Sequence, residues 1–108
     1  EAMADLRDAT RASHTRARAA ADLGRLHIGR GELEAAVEWL EQAADGPAAT
    51  KEEGFAVLYE LADTLERLGE SARAMAILVD LDADAGGYRD VRLRIDQLAR
   101  AQPGSSQP

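Results

Sequence analysis

The densest chemistry in the chain is the run Asp80-Leu81-Asp82-Ala83-Asp84-Ala85-Gly86-Gly87, three carboxylates at alternate positions followed by paired glycines. Alternating acids of this kind open calcium-binding loops, in which hard carboxylate oxygens ring the cation. Such a loop also needs glycine at its sixth position and a bidentate Glu at its twelfth, and this chain has Ala85 and Val91 there. The three acids are therefore expected on a solvated helix end, where they oppose the helix dipole and meet arginines such as Arg89 and Arg92. Histidine offers little more. His14 and His27 are thirteen residues apart, with no His-x-x-x-His or similar ligand spacing. His14 is expected in a connection between helices, and His27 as a half-buried core residue. Ser13 lies beside His14 in sequence, where neighbours rarely aim at one another, and no third group orients the pair. Without cysteine there is no thiol nucleophile, no Cys-ligated zinc and no disulfide. No catalytic, cofactor-binding or metal residue is assigned, and the chain is expected not to be an enzyme.

The elements that carry these groups are helices. A chain of 108 residues has room for one domain, and only four aromatics occur (Trp39, Phe55, Tyr59, Tyr88). Ala and Leu dominate, strand formers are scarce, and the fold class is all-α. Helices are expected near 1–12, 16–29, 32–45, 53–68, 71–83 and 90–101. Gly31 and Gly69 suit the left-handed residue that closes a helix. Glu32, Glu34 and Glu70 then fall at the positive ends of the following helices, and Asp90 suits an N-cap. Tyr88, Val91, Ile95 and Leu98 recur at three and four residues, which is one face of a last helix.

Charge is unevenly spread. Residues 1–30 carry six Arg against four acids, residues 31–87 three basic groups against fourteen acids, and residues 88–108 four Arg against two acids, for a net charge of −7. A negative domain repels phosphate backbones and anionic head groups, which disfavours nucleic acid and membrane surfaces as partners. No apolar run approaches the roughly 20 residues of a membrane-spanning helix.

The two glycines also expose a repeat. Gly31 and Gly69 are 38 residues apart at comparable places, and the register pairs residues 17–50 with 55–88, two units of 34 residues separated by the insertion 51–54. A 34-residue period built from a helix pair resembles the tetratricopeptide repeat. Ala20, Leu23, Gly24, His27, Ala36, Leu40 and Ala43 fall on the signature positions in the first unit. Leu58, Leu61, Ala62, Leu65, Ala74, Leu78 and Leu81 do so in the second. Gly24 and Ala62 are expected to face Ala36 and Ala74, where small side chains let two helices approach closely. His27 and Leu81 depart from the pattern, as does the lack of a closing proline in place. Extended backwards, the register puts Ala2, Leu6 and Ala9 on a preceding second helix, so that residues 1–16 read as a half repeat with a connection at Ser13-His14-Thr15. The chain is accordingly expected to be the C-terminal fragment of a longer solenoid. Residues 89–102 form a capping helix, and 103–108 a disordered tail.

The resemblance implies an antiparallel helix-hairpin α-solenoid that holds a peptide or helix of a partner protein on its concave wall, a non-catalytic scaffold or adaptor. The Ala/Arg/Asp-rich usage points to a bacterial-type protein, and the expected compartment is cytoplasmic. The wall positions are Arg18, Arg25, Ile28, Tyr59, Asp63, Glu66, Arg94 and Gln97. Ala21, Arg25 and Asp63 stand where family members that clamp carboxylates carry Lys and Asn, so that clamp is missing. A partner with alternating charges, or an acidic stretch meeting Arg18 and Arg25, fits better. The alternative is self-association, a homodimer through Met3, Leu6 and Ala9 of the first helix. Trp39 is expected to cover a seam with Phe55 and Leu58; the other reading makes it an exposed anchor.

Overall fold

Helix-forming Ala, Leu, Arg and Glu fill five helices in the computed structural model, which describes the backbone of residues 2–101 and the side chains of residues 11–101. They are α1 (Ala2–Gly29), α2 (Leu33–Asp45), α3 (Lys51–Arg67), α4 (Ser71–Asp84) and α5 (Val91–Ala101). There is no strand among the described residues. None of these helices is long and apolar enough to cross a membrane.

Two identical turns punctuate the chain. Gly31 (φ 78°) and Gly69 (φ 82°) are left-handed, a conformation that costs side-chain-bearing residues about 1–2 kcal/mol. Around the first, Glu32 N–H donates to His27 C=O and Gly31 N–H to Ile28 C=O. Around the second, Glu70 N–H donates to Leu65 C=O and Gly69 N–H to Glu66 C=O. Both satisfy the last carbonyls of a helix in the same six-to-one, five-to-two pattern. Each turn folds one helix back on its predecessor.

Small residues set how closely these hairpins close. A Cβ added at Gly24 would stand 2.8 Å from both Cγ and Cδ2 of Leu40 and 3.4 Å from the Ala36 carbonyl oxygen. In the second hairpin Ala62 and Ala74 are fully buried, with Leu65, Leu78 and Leu81 closing the space around them. One apolar cluster thus runs from Val37 and Leu40 on α2 through α3 and α4 to Val91 and Leu98 on α5. A smaller one joins Ala20, Ala21, Ala43 and Val57. Trp39 is half-buried against this smaller cluster, whereas Phe55 and Leu58 pack on the larger one.

The helices form two layers. Ion pairs join α1 to α3 and α3 to α5 on one side, and Arg73 of α4 reaches Glu41 of α2 on the other. The extents are 64 × 31 × 19 Å with a radius of gyration of 16.0 Å, against about 13 Å for a globular chain of this length. The short axis equals about two helix diameters. The stack is elongated and two helices thick.

Two expected boundaries move. The connection at Ser13-His14-Thr15 does not exist, because α1 runs unbroken through it. Ser, His and Thr each cost only a few tenths of a kcal/mol in a helix, and no Gly or Pro breaks this stretch. The 51–54 insertion is likewise the first turn of α3. Thr50 is its N-cap, accepting at Oγ1 from Glu53 N–H at 3.1 Å, and Thr50 with Glu53 three residues on has the spacing of a capping box. Thr50→Ala should lower stability by about 1 kcal/mol, measurable as a Tm fall of about 4–8 °C. The side chains of Met3, Leu6 and Ala9 and the tail 103–108 lie outside the described residues.

Candidate functional site

The wall positions come from α1, α3 and α5, which lie side by side, and their charges are largely engaged with one another. Arg18 meets Glu53 at 2.8 Å, and Arg25 Nε meets both oxygens of Glu60 at 3.0 Å. Each pair spans 35 residues, and the two pairs are two helical turns apart, so they form successive rungs between α1 and α3. Exposed rungs of this kind contribute about 0–1 kcal/mol each. They align the two helices more than they hold them together. Arg25 also reaches Asp22 at 3.1 Å, and its pKa is raised chiefly by the Glu60 hydrogen bond.

Between α3 and α5 the same theme becomes a network. Arg94 bonds Asp63 at 2.9 Å and Glu66 at 2.8 Å, with Asp90 at 3.5 Å, and its guanidinium lies 5.1 Å from the centre of the Tyr59 ring. Burial alone would lower the Arg94 pKa; the carboxylates around it more than offset this, and it stays charged. The Tyr59 hydroxyl donates to Asp90. Tyr88 meets Phe55 and Tyr59 edge-on at 5.8 and 6.0 Å between ring centres. Asp90 occupies the residue before α5, as expected of an N-cap, but its carboxylate serves the network.

Titration of this pair has a definite sign. The Tyr59 hydrogen bond, followed by the charge of Arg94, holds Asp90 below its ordinary value of 3.8. A lowered carboxylate stabilises the fold above its unfolded pKa and loses that contribution as pH falls through the folded one. Burial, then the bond to Asp90, raises Tyr59 above 10.0, so its contribution is lost as pH rises through the folded value. The bond is thus intact across the neutral range. In Tyr59→Phe the midpoint of the Asp90 carboxyl carbon, followed by NMR, should move upward; an unmoved midpoint would contradict the bond.

Other candidates separate from this group. Ile28 is half-buried against the larger cluster, while Gln97 is exposed and outside the network. Arg92 does meet Asp82, at 3.2 Å. Arg89, expected to do the same with the acidic run, instead lies over the rings of Tyr59 and Tyr88, 4.9 and 5.1 Å from their centres. His27 is half-buried as expected, with Nδ1 2.7 Å from Glu32 Oε1 at the hairpin turn. His14, within α1, borders a groove. No cluster of metal-ligating side chains occurs among the described residues.

Two depressions mark this face. A groove of about 570 Å³ lies between α1 and the start of α3, floored by Ala17, Ala21, Ala43 and Val57 and edged by the Arg18–Glu53 rung. Beside it, Ile28, Tyr59, Arg25, Glu60, Asp63 and Arg89 surround a cleft of about 240 Å³. Residue types alone did not mark Glu53, Glu60 or Arg89. The rungs had a faint signal, an acid 35 residues after each of two arginines one heptad apart.

The chain matches no protein-family model, no curated protein and no solved structure.

Proposed function

We propose that this chain is a non-catalytic recognition module, a tetratricopeptide-like α-solenoid that takes a peptide or helix of a partner protein along the wall formed by α1, α3 and α5. The observation that carries this reading is the pair of neighbouring depressions on that face, an alanine-floored groove and the cleft at Ile28 and Tyr59. Arg25 lines both. Arg18, Arg25, Glu53, Glu60 and Asp63 along them are already paired within the protein, which lowers the side-chain ordering that falls on binding. Two repeats with identical glycine turns also match how solenoids present one helix of every pair to a ligand.

The test is NMR with peptides selected from a random display library. Amide shifts should move on α1 and α3 around Ala21, Ile28 and Tyr59, with the exposed side of α4 around Ala76 and Val79 unchanged. Shifts confined to α4, or no peptide retained at all, would overturn the reading. Concentration-dependent shifts limited to residues 2–14, without any peptide, would support self-association in its place. That stretch of α1 lies beyond the end of α2, since a Cβ at Gly46 would stand 3.1 Å from Cβ of Ala17.

A further inference from the structure

The cleft of about 240 Å³ falls below the roughly 300–1,000 Å³ of small-molecule sites, a size suited to one or two side chains. Ile28 and the Tyr59 ring supply its apolar surface. Its carboxylates are already engaged, Glu60 by Arg25 at 3.0 Å and Asp63 by Arg94 at 2.9 Å and Arg67 at 3.2 Å. Arg25 is engaged in turn. Arg89 differs from every other charged group in the cleft, because among the described residues it has two aromatic rings as neighbours and no carboxylate in ion-pair reach.

The geometry makes that guanidinium available. Its attraction to the two rings acts through the charge and leaves its N–H donors without an oxygen partner, and those donors form the planar fork that matches a carboxylate. Its backbone is left-handed at φ 43°, where Gly or Asn would be at ease, so a cationic side chain is kept there against local preference.

We propose that this cleft receives one apolar side chain of a partner segment against Ile28 and Tyr59, with a neighbouring Asp or Glu of that segment paired to Arg89. This rests on the recognition reading above and narrows it to a partner class. Charge complementarity selects the occupant: of the cations lining the cleft only Arg89 is uncompensated, which calls for a single carboxylate, and the net charge of −7 disfavours a longer acidic run.

The experiment selects peptides from one random linear library on the wild-type chain and on Arg89→Glu, then measures synthetic winners against both and against Arg89→Gln. Circular dichroism checks that helicity is kept, and Arg89→Gln keeps the proposal testable if charge reversal unfolds the chain. Wild-type winners should pair Asp or Glu with an adjacent apolar residue and lose about tenfold or more in affinity on Arg89→Gln. Winners on Arg89→Glu should carry Lys or Arg in that place. Winners indifferent to both substitutions, though still shifting the groove at Ala21, would overturn this inference and leave the recognition wall standing. If no peptide binds any of the three chains, both fail.

Discussion

Gly24→Val should destabilise the chain by about 3 kcal/mol, the upper part of the usual range for overpacking a well-filled core. The Cβ alone would meet Leu40 Cγ and Cδ2 at 2.8 Å, and Leu40, fully buried, has nowhere to retreat. Gly24→Ala sets two effects against each other. Alanine gains about 1 kcal/mol of helix propensity, while the clash costs about 2 kcal/mol, so a net loss of about 1 kcal/mol is expected. The sign should reverse when the obstacle is removed. In a Leu40→Ala background, itself about 3 kcal/mol less stable, Gly24→Ala should stabilise by about 1 kcal/mol, a coupling of about 2 kcal/mol between the two sites. Urea denaturation of the four chains measures this. Additive effects would mean that the two helices do not meet at Gly24.

Leu78→Ala should cost about 3–4 kcal/mol. Leu78 has no exposed surface and belongs to the cluster shared by α3, α4 and α5 with Leu65, Leu81 and Val91. For a domain whose total stability is of the order of 5–15 kcal/mol, the transition should move down by more than about 12 °C. Its neighbour serves as the control. Val79 is 48% exposed, and Val79→Ala should stay within about 0.5 kcal/mol of wild type. Equal effects at the two positions, read by calorimetry, would mean that α4 presents a different face to the core.

Fold and site differ in how far residue types alone revealed them. Gly31 and Gly69 were legible because a left-handed helix end leaves few alternatives to glycine. The close approach of Gly24 to Ala36 and the full burial of Ala62 and Ala74 were legible because only small residues permit close helix approach. The break expected at Ser13-His14-Thr15 came from extending the 34-residue register backwards, whereas α1 runs through it, since residues with a small propensity cost do not end a helix flanked by Ala and Arg. Thr50 and Glu53 carried a capping signal that the 34-residue register obscured, because it ended the first unit at Thr50 and placed Glu53 in an insertion. The network on Arg94 was beyond sequence reasoning for another cause. Its partners Asp63, Glu66 and Asp90 are common surface types, and their mutual reach depends on how α5 lies on α3. Arg89 was hidden for the same reason, since no propensity places arginine at φ 43°.

All of these statements depend on consecutive helices nesting through small residues, which brings α1 and α3 side by side. A chain of 108 residues suits a methyl-resolved NOE spectrum. Strong cross-peaks are expected between the Gly24 Hα protons and the Leu40 δ-methyls. Their absence, with Gly24 Hα instead showing contacts to residues outside α2, would contradict the nested arrangement and the recognition wall built on it.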